Sequence, residues 1–158
     1  EMGKDSETGE PPVEVTTSPK GVTIGISSDI SFEPGSATTK PGFLDILKKI
    51  VPTIEESYFM IAVEGHTDSD PLPKSLRERY PSNWELSGAR ASAVVRLLIG
   101  LEVDPTRLQS VGYGEFVPRD KNTAEIITTD LIQKYNSNPQ QKSRNRRVEI
   151  TFLAPNKL

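Results

Sequence analysis

The chain contains no cysteine. That excludes a disulfide scaffold, thiol catalysis and any cysteine-bound zinc site. It has one histidine, His66, so no site that needs two imidazoles can form. A catalytic zinc takes three protein ligands as a rule, and no Gly-x-Ser-x-Gly elbow frames a serine nucleophile. These gaps predict a protein that is not an enzyme and holds no metal or cofactor. No apolar run approaches the ~18 residues of a membrane span, and the candidate at Val94–Ile99 is interrupted by Arg96. No sign of charge dominates. Lys and Arg number 19 against 22 Asp and Glu, a net charge of −3, which disfavours broad nucleic-acid binding. The chain opens Glu1-Met2 without a leader pattern, which reads as a mature form or an excised part of a longer protein.

What is present suits one domain of 158 residues with a core of its own. Residues 1–12 are acidic and rich in Gly and Pro, the composition of a flexible linker or tail. Residues 13–158 read as the folded unit. Val13–Val15 and Val22–Ile26 alternate at period two around Ser18-Pro-Lys-Gly21, a hairpin signal. Residues 27–41 read as a loop. Phe43, Leu47, Ile50, Val51 and Ile54 share one helical face, which Pro52 should kink or end. Tyr58–Val63 is a continuous apolar run, the pattern of a strand buried on both faces. Residues 69–81 hold Pro71, Pro73 and Pro81 among Lys74, Arg77 and Arg79, and read as a long loop. Ser82 with Glu85 fits a capping box, opening a helix to about Leu98. Leu108–Tyr113 reads as a strand and 123–135 as a helix, on Ala124, Ile127, Leu131 and Tyr135. Ser137–Arg147 is polar and basic, and Val148–Phe152 alternates as a last strand. Strands alternating with helices predict a two-layer α/β sandwich, a mixed sheet with helices packed on it.

Two charged residues fall where the pattern calls for something else. On a helical wheel Arg90 lies at about 40° from Leu86, between Leu97 at about 20° and Val94 at about 80°. A guanidinium cannot shed its charge to escape burial. It must find an anion, snorkel out, or stand at a pocket rim. Asp68 closes Gly65-His-Thr-Asp68 after a buried strand, where α/β sheets commonly place ligand groups. A carboxylate and a guanidinium at one rim would suit a zwitterionic amino-acid head group, the carboxylate taking the ammonium and the guanidinium the carboxylate. The alternative is that the two pair with each other, or that each serves the fold alone.

Four ordered motifs carry a resemblance. Gly65-His-Thr-Asp68, Ser82-Asn-Trp-Glu-Leu-Ser87 with Arg90-Ala91, Gly112-Tyr-Gly-Glu115 and Asn145-Arg-Arg-Val-Glu-Ile150 together resemble the OmpA-like peptidoglycan-binding domain, over roughly residues 13–153. The second block, with Trp84 and Glu85, is similar to the MotB-type branch found in flagellar motor stators. The resemblance implies that Asp68 and Arg90 bind the diaminopimelate of the peptidoglycan stem peptide, with Thr67, Asn83 and Arg147 lining or bracing the pocket. It implies a homodimer, a MotA-type partner reached through a membrane span outside this chain, and a periplasmic location. The stretches between Asp68 and Arg90 and over 124–144 are longer than the ordinary pattern.

Three other readings stay open at this level. Another wall anchor of the same family, a lipoprotein or a porin tail, would carry the same ligand. An enzyme would need ligands and a nucleophile context that are missing. Nucleic-acid binding through Lys142–Arg147 lacks the interleaved aromatics that stack bases.

Overall fold

The computed structural model describes residues 12–122 and 124–155. Val13–Ser18 (β1) and Gly21–Ser27 (β2) pair as the expected antiparallel hairpin. The acidic tail expected over 1–12 lies, Pro12 apart, outside the described residues. Where a loop was expected, a single helical turn forms at Ser28–Ser31 (α1), capped by the Ser27 hydroxyl accepting from the Asp29 amide at 3.2 Å. Pro41–Glu56 (α2) buries Phe43, Leu47, Ile50 and Ile54 as the spacing required. It runs through Pro52 instead of ending there, because Pro52 faces solvent while Ile50 and Ile54 hold both flanking turns in the core.

Ile61–His66 (β3) is buried at all six positions. The strand expected at Tyr58–Val63 is thus shifted towards the carboxyl end. Pairing with both neighbours begins at Ile61, and Tyr58 before it is 99% exposed. Asn83–Gly100 (α3) starts at the Ser82 cap as expected. Ser82 Oγ accepts from the Trp84 amide at 3.2 Å and donates to Glu85 at 2.6 Å. Leu108–Gly112 (β4) and Arg147–Leu153 (β5) complete the strands.

The helix expected over 123–135 shortens to Thr129–Lys134 (α4). Thr128 supplies the reason, its hydroxyl accepting from the Leu131 amide at 3.2 Å and setting the start. Pro139–Asn145 (α5) falls in the polar stretch with no apolar periodicity. Its signal is Asn138 as cap, accepting from the Gln141 amide at 2.8 Å, with proline in the first turn.

The sheet order is β1-β2-β5-β3-β4, antiparallel except for the β3–β4 pair. Parallel neighbours need a crossover, and α3 makes it. One face carries Ile24, Ile26, Ile61, Val63, Val148, Ile150 and Phe152 against α2 and α3. That is the expected two-layer sandwich. The opposite face carries Thr23, Glu64, His66, Arg147, Glu149 and Thr151, since register and alternation place them together. Among the described residues no helix is long and apolar enough to cross a membrane.

Candidate functional site

The site forms where α3 presses on the carboxyl ends of β3 and β4. A Cβ at Gly65 would stand 2.2 Å from the Ser87 carbonyl oxygen, and one at Gly112 would stand 2.5 Å from the Gly88 nitrogen. Glycine is needed at both places so that helix and sheet backbones can meet. Three bonds staple the junction. Tyr113 N donates to the Gly65 carbonyl at 3.0 Å and Thr67 N to the Gly114 carbonyl at 2.9 Å. Gly114 N donates to Ser87 Oγ at 2.9 Å. The glycines of the first and third motifs therefore set the distance between the strand ends and the first turns of α3.

Asp68 leaves this junction 8% exposed. Its Oδ1 accepts from the Asp70 amide at 2.9 Å and its Oδ2 from Arg146 Nη1 at 2.7 Å. Thr67 and Asn83 are brought to it. The Thr67 hydroxyl donates to the Asp68 carbonyl at 2.8 Å, and Asn83 Nδ2 donates to the carbonyls of Asp68 and Asp70 at 3.3 and 3.1 Å. Both brace the backbone beneath Asp68. Glu115, half-buried beside them, is raised above the usual carboxylate range by burial first, with an Asn83 hydrogen bond opposing and Asp68 adding to the rise.

Arg90 is 5% exposed on α3. Nε donates to the Ser36 carbonyl at 2.8 Å and Nη2 to the Glu33 carbonyl at 3.4 Å, and the guanidinium lies 5.1 Å from the Phe32 ring centroid. Among the described residues no carboxylate lies within ion-pairing distance of it. The open alternative that Asp68 and Arg90 pair with each other is not what the molecule does. Burial pulls Arg90 down to about 10, while Asp29 and Asp68 pull it back up. It stays charged at neutral pH.

Arg147 does not join them. Nε donates to Glu149 at 2.6 Å, Nη1 to the Asn145 carbonyl at 3.2 Å and Nη2 to the Val117 carbonyl at 3.0 Å, on the polar sheet face. Its neighbour Arg146 takes the place beside Asp68. Arg146 grips Asp29 with Nε at 2.9 Å and Nη2 at 3.1 Å, and Asp68 with Nη1. Burial opposes its charge, but hydrogen bonds to Asp29 and Asp68 outweigh that and raise it above ordinary arginine. Sequence reasoning missed Arg146 and Asp29. Arg146 stands next to Arg147 in the same motif, and only the α5–β5 junction decides which arginine faces Asp68. No local signal marks Asp29.

The basic run 142–147 spends its cations on partners within the chain. Lys142 meets Asp70 at 3.1 Å, Arg144 meets Asp120 at 3.0 Å, and Arg146 and Arg147 are paired as above. His66 is buried behind the site, stacked on Tyr113 with centroids 5.2 Å apart. Neither of its nitrogens has a hydrogen-bond partner, and Nε2 stops 3.7 Å from Glu149. Burial lowers it well below the ordinary imidazole value, and Arg147, Lys20 and Arg119 add to this.

Fold and site define a small α/β domain whose helix-covered sheet ends in a charged rim. The sequence profile of the OmpA family matches residues 31–146, and the chain belongs to that family. Motility protein B of Bacillus subtilis is 31% identical over 144 residues, 89% of this chain and 48% of that protein. The uncharacterised protein YtxE of the same organism is 33% identical over 135 residues, 84% of this chain and 48% of that one. The chain spans about half the length of these curated relatives. The cell wall anchor of the T6SS from Pseudomonas aeruginosa superposes with a TM-score of 0.73 at 30% identity, over 91% of this chain and 89% of that one. The periplasmic domain of Helicobacter pylori MotB gives 0.74 at 24% identity over 98% and 88%, a likeness of fold.

Proposed function

We propose that this chain is a non-catalytic peptidoglycan-binding module, the wall-anchoring part of a MotB-type stator unit, and that it grips the zwitterionic head of diaminopimelate. The observation that carries this is a buried guanidinium, Arg90, with no carboxylate partner among the described residues, coupled electrostatically to a buried carboxylate, Asp68. Burying an arginine without an anion is costly, and a carboxylate from outside would repay it. Nε and one Nη of Arg90 are taken by carbonyls, which orients the fork and leaves donors over. Asp68, fixed by Arg146 and the Asp70 amide, is the acceptor for the ligand's ammonium. Thr67 and Asn83 hold the backbone that carries it. The two resemblances, to a motility protein and to a cell wall anchor, support this reading from separate directions. The homodimer, the MotA-type partner, the periplasmic location and the linker role of residues 1–12 belong to the same proposal.

The test is retention on purified diaminopimelate-type peptidoglycan. Asp68→Asn should lose one charge-assisted bond, ~1.5–3 kcal/mol, or about tenfold to over a hundredfold in affinity, with cooperative unfolding kept. Undiminished retention by Asp68→Asn would remove the site. Whether the anchor serves a stator or another wall-bound assembly is read by whether the full-length gene restores swimming to cells lacking their own MotB-type subunit.

A further inference from the structure

Trp84 is the only tryptophan in the chain, and it is 49% exposed. It stacks on Phe116 with ring centroids 4.8 Å apart and planes 17° from parallel. Both rings stand over the turn after β4. A Cβ at Gly114 would meet Phe116 at 3.4 Å and Trp84 at 3.5 Å, ordinary contact, so the turn lies directly against both rings; its φ of 58° is what calls for glycine. The result is a flat aromatic platform with one large face in water. The indole, held at the start of α3, offers this face to an apolar partner.

The platform is continuous with the site already described. Trp84 follows Asn83, whose amide holds the backbone of Asp68 and Asp70. Next to it opens a cavity of about 300 Å³ lined by Ser69, Leu72, Ser82, Asn83 and Glu115. Of this lining, Asn83 and Glu115 are the chain neighbours of Trp84 and Phe116, which brings an amide and a carboxylate close to the aromatic pair. That is the chemistry that recognises a pyranose. The C–H-rich face of a sugar ring is apolar and carries positive hydrogens toward the negative face of an aromatic ring. Its equatorial hydroxyl and acetamido groups seek donors and acceptors at the ring's edge.

We propose that Trp84 and Phe116 form a stacking subsite for one N-acetylhexosamine ring of the glycan strand, contiguous with the Asp68–Arg90 site. This rests on the reading of peptidoglycan as the ligand, and adds the sugar backbone to the stem-peptide head group. The platform sets which ring of the strand lies over α3 while the peptide reaches Asp68.

Two probes keep the two readings apart. Tri-N-acetylchitotriose carries the sugar chemistry and no peptide. Meso-diaminopimelate carries the head group and no sugar. Titrating chitotriose should shift and quench the fluorescence of Trp84, which reports from the platform itself. Saturation-transfer NMR should show chitotriose affinity falling roughly three- to tenfold in Trp84→Ala and in Phe116→Ala, and partly recovering in Trp84→Phe. Urea unfolding of each variant establishes that it is folded, and Trp84→Phe keeps the stack if Trp84→Ala is unstable. No fluorescence response, with equal chitotriose affinity in Trp84→Phe, Trp84→Ala and the parent, would overturn the platform. Chitotriose binding without diaminopimelate binding, measured by calorimetry on the parent, would uphold the platform and count against the head-group reading.

Discussion

Replacing Gly65 by alanine tests the closest approach between α3 and the sheet. The new Cβ would lie 2.2 Å from the Ser87 carbonyl oxygen and 2.9 Å from its carbon. Ordinary contact begins near 3.4 Å, so α3 or β3 must retreat by about 1 Å. Neither can do so freely. Leu86, Ala91, Val94 and Leu98 hold α3 in apolar contacts, and β3 is paired on both sides. Overpacking costs about 1–3 kcal/mol when a side chain yields. Here backbone must yield, so the upper end applies, about 3 kcal/mol. For a chain of this size that is a fall in Tm of roughly 6–12 °C, with an unchanged urea m-value. Gly88→Ala is the matched control one residue beyond Ser87. A Cβ there meets nothing within 4 Å, and alanine suits a helix interior better, so stability should rise by about 0.4–1 kcal/mol. Retention on peptidoglycan should fall in Gly65→Ala, because Ser87 and Arg90 move with the same helix. Urea and thermal unfolding of both variants decide the matter. A Gly65→Ala protein within about 0.5 kcal/mol of the parent, or a Gly88→Ala protein equally damaged, would refute the close-approach argument.

Arg146→Ala should cost about 2 kcal/mol in urea unfolding, because it strips the shared partner from Asp29 and Asp68; a loss under about 0.5 kcal/mol would mean that the clamp is ornamental. His66 is held neutral when folded, burial depressing it well below the ordinary imidazole value, so the unfolded chain binds a proton first as pH falls. Stability should therefore drop below about pH 6.5, by up to ~1.4 kcal/mol per unit, until the folded imidazole titrates; urea midpoints of His66→Gln should lack this component. Pro52→Ala should restore the amide that α2 lacks on its exposed face and raise stability by about 1–3 kcal/mol, read from the Tm; a decrease would show that the ring packs in place.

The covalent order of residues determined what local physics can determine. Period two at Val22–Ile26 and Val148–Phe152 produced strands, and the apolar face of Phe43–Ile54 produced a helix. The Ser82 hydroxyl started α3, and the wheel placed Arg90 among apolar residues before any contact was known. These follow from backbone geometry and hydrogen bonds within a few residues. Tertiary structure decided the rest. Tyr58 and Phe59 have the composition of a strand but stay outside the sheet, whose residue pairing begins at Ile61 with the Met60 carbonyl accepting from the Leu153 amide at its edge. Arg90 reaches the carbonyls of Ser36 and Glu33 and not Asp68, and Asp68 is held by Arg146, 78 residues away. Asp29, from the turn after β2, completes that clamp. No pattern read along the chain could foresee those partners. A charged side chain advertises only that it needs an opposite charge or a dipole. Which one it meets is settled when a sheet of order β1-β2-β5-β3-β4 brings distant ends to one edge, where low dielectric makes each pairing strong and each omission costly.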